Sequence, residues 1–133
     1  MTSKATKERY AQEIKVAANI RSEKLVRALS TVPREEYVGG APWRTLARPA
    51  PGQMQPIISE VSDPNELYYD VAVYVDQSKV LTNGNPSTLA PWLDSLGLSD
   101  GKSVVSPWLR DGLLHSGYGR DGGAQRSCGC SRN

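Results

Sequence analysis

Gly101-Lys102-Ser103-Val104-Val105 carries most of what the chain says about its fold. Just upstream, Leu96, Gly97 and Leu98 close an apolar segment, and Asp100-Gly101 is a turn signal. Ser103-Val104-Val105 then opens a β-branched run, which predicts a buried strand entered from a tight turn. In a nucleotide-binding α/β protein such a strand leads into a glycine-rich loop and a helix N-terminus, where backbone N–H groups meet the ligand. Here the chain enters Ser106-Pro107-Trp108-Leu109-Arg110, and no Val, Ile or Met occurs from Ser106 to Asn133. The strand is present and its usual continuation is not.

Working back from that point, Leu89, Trp92, Leu93 and Leu96 stand at helical spacing before Gly97. Pro86 or Ser87 opens this segment and Pro91 interrupts it, so the helix is expected to start at Pro91. Leu81-Thr82-Asn83-Gly84-Asn85-Pro86-Ser87 reads as a turn-rich loop. Asp70-Val71-Ala72-Val73-Tyr74-Val75-Asp76 has valines at period two and is the best strand signal in the chain. Asp70 and Asp76 flank it as turn residues, with no chemistry assigned.

Further upstream, Gly39, Gly40 and Gly52 with Pro42, Pro49, Pro51 and Pro56 predict a long irregular connection over 39–56. Residues 3–20 predict an amphipathic helix, with Tyr10, Ile14, Ala17 and Ala18 on its apolar face. Ser22 caps a second helix whose apolar positions are Leu25, Val26 and Leu29, and Pro33 stops it. Arg34-Glu35-Glu36-Tyr37-Val38 reads as a short helical turn with a solvated charged face, folding Tyr37 back onto the helix pair.

At 133 residues the chain is one domain at most. Its net charge of +2 arises in the tail: residues 1–105 hold 12 Lys/Arg and 12 Asp/Glu, whereas 106–133 hold 4 Arg and 2 Asp. So small an excess argues against a nucleic-acid binder, although Gly117-Tyr118-Gly119-Arg120 is the kind of segment that stacks on RNA. Neither a secretory leader nor a membrane-length apolar run is read, so a cytoplasmic chain is expected. Cys128 and Cys130 are one residue apart and lack partner ligands, so no metal site is assigned. His115 has no recognisable catalytic partner. The last 28 residues hold six of the twelve glycines and only isolated apolar points, and disorder is expected there.

Three blocks together resemble the protein-L-isoaspartate O-methyltransferase family. Val32-Pro33-Arg34-Glu35-Glu36-Tyr37-Val38 is similar to that family's VPRE-x-F/Y-V block. Residues 81–87 sit where the family has its substrate-side loop. Trp92-Leu93-Asp94-Ser95-Leu96-Gly97-Leu98 followed by Asp100 to Val105 resembles the helix and first strand before the S-adenosylmethionine loop. The order and spacing fit from about residue 20 to residue 105.

The resemblance implies the N-terminal portion of a Rossmann-like α/β methyltransferase over 1–105, with an incomplete sheet and a disordered tail over 106–133. It implies methyl transfer from S-adenosylmethionine to an abnormal aspartyl carboxylate of isoaspartyl-containing proteins or peptides. It also marks Thr82, Asn83, Gly84, Asn85, Pro86 and Ser87 as lining the substrate pocket, with Gly84 where the family carries Ser. Ser87 has a competing reading as a helix N-cap, and Thr82 and Asn83 as turn residues. No catalytic residue is assigned. The family's glycine-rich loop is absent, so the chain as written is expected not to bind the cofactor and to be inactive, leaving a non-catalytic remnant or interaction module as the other reading.

Codon degeneracy offers a cause for that absence. Read one base later from the TGG codon of Trp108, permitted codons spell G-C-G-T-G-Y-Y-T-A-G-M, a methyltransferase cofactor loop and helix start. The expectation is that residues from about Ser106 onward are a frameshifted translation of a longer methyltransferase gene.

Overall fold

A computed structural model describes residues 2–101 of the chain. The strand expected at Ser103–Val105, the tail expected to be disordered from Ser106, His115, Cys128 and Cys130 lie outside the described residues.

Helix α1 spans Lys4–Ala17 and starts where Ser3 accepts the N–H of Thr6 at 3.1 Å. Such a cap satisfies one of the helix's orphan donors. Tyr10, Ala11 and Ile14 are buried, while Ala17, expected inside, is exposed. Helix α2 spans Glu23–Thr31 behind the predicted Ser22 cap, which accepts from the N–H of Leu25 at 3.3 Å. It buries Leu25 and Val26, and the chain leaves the helix at Val32, ahead of Pro33. A single 3-10 turn follows at Arg34–Glu36.

The span read as irregular contains a strand. Strand β1, Trp43–Ala47, buries Trp43 and Thr45 at alternating positions, and Pro42 and Pro49 flank it rather than break it. The Pro/Gly density describes the loop of residues 48–56, which is exposed throughout, and masked the five β-compatible residues before it. Strand β2, Ile57–Val61, begins directly after Pro56. Strand β3, Val71–Asp76, falls where the period-two valines predict it, and the two-residue β4, Leu81–Thr82, returns beside it.

The strands form one four-stranded sheet in the order β2-β1-β3-β4, antiparallel at every pairing. In register, Thr45 lies between Ser59 and Val73, and Leu46 between Ile58 and Ala72. The face carrying Trp43 and Val73 packs on the helices, closing a core with Tyr10, Ile14, Leu25, Val26, Leu67 and Tyr68. Fully burying an aliphatic side chain of this kind stabilises by roughly 1.5–3 kcal/mol. The described residues are thus a mixed α/β unit built on an antiparallel sheet.

Helix α3 spans Pro86–Ser95 and starts one turn before the predicted Pro91. Asn85 is its N-cap residue and Pro86 its first helical residue, so Ser87 is not the cap. Pro91 sits inside the helix, where it removes the N–H that would have bonded to the Ser87 carbonyl. The start holds because Asp70, ahead of β3, grips Ser87, and Pro86 and Ala90 are buried beneath.

Candidate functional site

Among the described residues, a dense polar arrangement surrounds residues 67–73, where a 3-10 turn at Pro64–Leu67 runs into β3. Arg34 enters this segment from the turn after α2 and is only 2 % exposed. Its Nη1 donates to the carbonyls of Leu67 and, at 3.1 Å, Tyr69; its Nη2 donates to the Val71 carbonyl at 3.0 Å. The guanidinium carbon lies 5.3 Å from the centre of the Tyr10 ring, a cation–π approach, and Nε has no hydrogen-bond partner among the described residues. Three carbonyls and an aromatic face therefore solvate a buried cation. The reading of this turn as a solvated charged face is corrected here for Arg34. Tyr37, expected to fold inward, is half-buried.

Tyr68 locks the same turn. Its hydroxyl accepts the backbone N–H of Arg34 at 3.0 Å and donates to Glu35 Oε2 at 2.5 Å, and Thr2 donates to Glu35 Oε1 at 3.2 Å. The Tyr10 and Tyr68 rings meet edge to face at 5.6 Å. Burial is the largest influence on the Tyr68 hydroxyl and, with its bond to Glu35, raises its pKa. Burial also raises the pKa of Tyr10, against the opposing pull of Arg34. Burial pushes the Glu35 carboxyl upward too, but the hydrogen bond from Tyr68, the backbone N–H, Lys7 and Thr2 outweigh it and hold Glu35 below its ordinary value.

The expected substrate loop approaches the same segment from the other side. Asn83 accepts the Val73 N–H on Oδ1 at 2.8 Å and donates its own N–H to the Val73 carbonyl at 3.0 Å, extending the β3–β4 ladder by one side chain. Asn85 Nδ2 donates to the Asp70 carbonyl at 3.0 Å. Ser87 donates its N–H to Asp70 Oδ1 at 2.9 Å and its hydroxyl to Oδ2 at 2.5 Å. Gly84 has φ +77°, and a Cβ there would lie 3.2 Å from Leu89 Cδ1. Thr82 is half-buried in β4, and Pro86 is buried.

Asn83, Asn85 and Ser87 are therefore brought together, with their polar atoms turned onto the protein's own backbone and Asp70. A Ser–carboxylate pair lacks the intervening base that makes a serine nucleophilic. Among the described residues, no three His, Cys, Asp or Glu side chains are grouped to hold a metal ion. The place where a cofactor loop would follow the Ser103–Val105 run lies outside the described residues, and no residue is assigned to a cofactor.

Sequence reading missed Arg34, Tyr68 and Asp70 as the centre of this arrangement. For Arg34 a signal existed, because it lies in the first family-like block; for Tyr68 and Asp70 none did, since their partners are 15 or more residues away in sequence. Compared with known proteins, the chain matches no family model, and no curated protein or solved structure matches it significantly. No helix among the described residues is long and apolar enough to cross a membrane.

Proposed function

We propose that residues 1–105 are the lead-in portion of a protein-L-isoaspartate O-methyltransferase-like chain, Rossmann-like in its complete form and cytoplasmic. In the intact form a doubly wound sheet would continue from Ser103, and S-adenosylmethionine would supply a methyl group to an abnormal aspartyl carboxylate. The chain as written, lacking the glycine-rich loop, is inactive. Its residues contribute a scaffold: Arg34 and Tyr68 fix the turn after α2, and Asp70 fixes the start of α3.

One observation supports this reading above others. Two of the three blocks that resemble the family, 32–38 and 81–87, converge on one short segment. Arg34 binds the carbonyls of Leu67, Tyr69 and Val71, while Asn85, Ser87 and Asn83 bind Asp70 and Val73. Motif residues that hold a shared segment's backbone are consistent with a structural lead-in.

Calorimetric titration with S-adenosylhomocysteine tests the proposal. The expected result is no heat with the chain as written and saturable binding by a version restored to the shifted frame after Ser106. Absence of binding by the restored version would overturn the family reading, and binding by the original chain would overturn the inactive reading.

A further inference from the structure

The two edges of the sheet are built differently, and β4 is the better protected. β4 is two residues long, its register with β3 slips between Tyr74 and Asp76, and it follows Lys79 and a left-handed Val80 at φ +53°. Short length, a bulge and a lysine are devices that keep an edge strand from pairing further. β2 is longer and has no bulge; its one charged side chain is Glu60, and Pro56 stands just before it. Its five residues pair with β1 in unbroken register, it contains no Pro or Lys, and among the described residues its other side carries no strand.

Three of the five β2 side chains at this edge are apolar, Ile57, Ile58 and Val61, with Ser59 and Glu60 between them. One row runs Ala72–Leu46–Ile58 and another Val71–Ala47–Ile57. Along the first, burial falls from Ala72, through half-buried Leu46, to Ile58 at 49 % exposed; Ile57 ends the second at 46 %. A strand's worth of unpaired backbone groups flanked by two half-covered isoleucines is a surface for strand addition.

We infer that this edge pairs with the β2 edge of a second copy of the chain, antiparallel about a twofold axis through Ser59, giving a continuous eight-stranded sheet. The β2 sequence selects this register. Centring on Ser59 places Ile57 opposite Val61 of the second copy and keeps all five residues in the ladder. It extends the row Val71–Ala47–Ile57 across the axis onto the second copy's Val61 and then Trp43, an unbroken apolar row. It also puts Glu60 across from Ile58, with Arg44 of its own copy on the far side. Centring on Ile58 would bring Pro56, which has no N–H, into the ladder opposite Glu60. Centring on Glu60 would set two carboxylates directly opposite each other. The contact is a single ladder, so the dimer is weak and concentration-dependent. This inference is independent of the methyltransferase reading and does not involve residues 81–87.

Sedimentation of the full chain over a concentration series tests it. The wild type is expected to shift from monomer to dimer as concentration rises. Ser59 is exposed, so Ser59→Lys and Ser59→Glu keep the monomer fold, which circular dichroism checks. Each variant alone places like charges opposite each other and weakens association about tenfold, and an equimolar mixture of the two restores it. In a chain carrying Cys128→Ser and Cys130→Ser, Ser59→Cys is expected to cross-link to itself faster than Ile58→Cys or Glu60→Cys, because directly opposed strand residues fall within disulfide range. A wild type monomeric at every concentration overturns the inference. So does undiminished dimerisation of both charged variants, which would locate the contact elsewhere, with the exposed Trp92 of α3 and Leu96 just after it as the next surface to examine.

Discussion

The Tyr68 hydroxyl stands 2.5 Å from Glu35 Oε2, and Tyr68 holds the turn after α2 by both its backbone and its carboxylate. Glu35 lies below its ordinary value of 4.5 and Tyr68 above its ordinary 10.0, so the pair contributes stability between those values and loses it outside them. As pH falls below about 5 the unfolded chain takes up the Glu35 proton before the folded chain does, and stability drops. Above pH 10 the unfolded chain releases the Tyr68 proton first, and stability drops again. Urea titrations across pH are expected to show both limbs. Glu35→Gln flattens the acid limb, by about 1 kcal/mol or less because solvent screens a partly exposed carboxylate. Tyr68→Phe shrinks the alkaline limb, with Tyr10 supplying the remainder.

Tyr68→Phe has a second effect at neutral pH. Without the hydroxyl, the N–H of Arg34 loses its acceptor in a buried turn, at a cost of about 1–3 kcal/mol. Denaturant midpoints at pH 7 measure it. A loss below a few tenths of a kcal/mol would mean that water replaces the hydroxyl.

Arg34→Lys is expected to destabilise by about 3 kcal/mol or more. One ammonium cannot serve the carbonyls of Leu67, Tyr69 and Val71 together, and it brings no planar face to the Tyr10 ring. Arg34→Met restores the volume yet leaves the three acceptors unmet, and is expected to fare no better. Thermal unfolding of both variants measures this, and near-wild-type stability in Arg34→Lys would contradict the fork geometry as the cause.

Asp70→Ala separates scaffold from pocket in the 81–87 loop. The carboxylate holds the Ser87 N–H and hydroxyl at the start of α3, and its loss is expected to cost about 1–2 kcal/mol. Ser87→Ala removes only the hydroxyl bond and is expected to cost about 1 kcal/mol or less. A double-mutant cycle in which the two losses simply add would mean that the Ser87 hydroxyl bond to Asp70 contributes nothing to stability, leaving the Ser87 N–H bond to carry the Asp70→Ala loss.

Local pattern made part of this molecule legible and sequence separation hid the rest. The Ser22 cap, the Tyr10/Ile14 and Leu25/Val26 stripes and the period-two valines of β3 are decided by neighbours within four residues, and all are found. β1 was obscured because its flanking prolines weigh on any window that includes them, although Trp43-Arg44-Thr45-Leu46-Ala47 contains none. The start of α3 at Pro86 depends on Asp70, 17 residues before Ser87, and Pro91 dominated the local reading. Arg34 looked like a solvated charge because no spacing announces that three carbonyls of a later segment will surround it. The residues marked as substrate pocket were legible as a cluster, but that Asn83, Asn85 and Ser87 turn onto backbone and Asp70 follows only from the tertiary arrangement.

Val80 offers a stabilising substitution. It is exposed and sits at φ +53°, ψ +36°, in the left-handed region, where a β-branched residue is disfavoured by about 1–2 kcal/mol. Its side chain packs too little for the loss of the isopropyl group to matter. Glycine adopts this conformation without strain but gives back part of the gain through its more flexible unfolded state. Val80→Gly is therefore expected to raise stability by roughly 0.5–1 kcal/mol, and Val80→Asn by a similar amount, with thermal midpoints rising by a few degrees. The adjoining edge supplies the internal control: Gly84, at φ +77° with Leu89 Cδ1 3.2 Å from where a Cβ would lie, should lose stability on Gly84→Ala by the same left-handed penalty plus the contact. A lower midpoint for Val80→Gly together with a neutral Gly84→Ala would mean that strain in the β3–β4 hairpin does not follow backbone conformation.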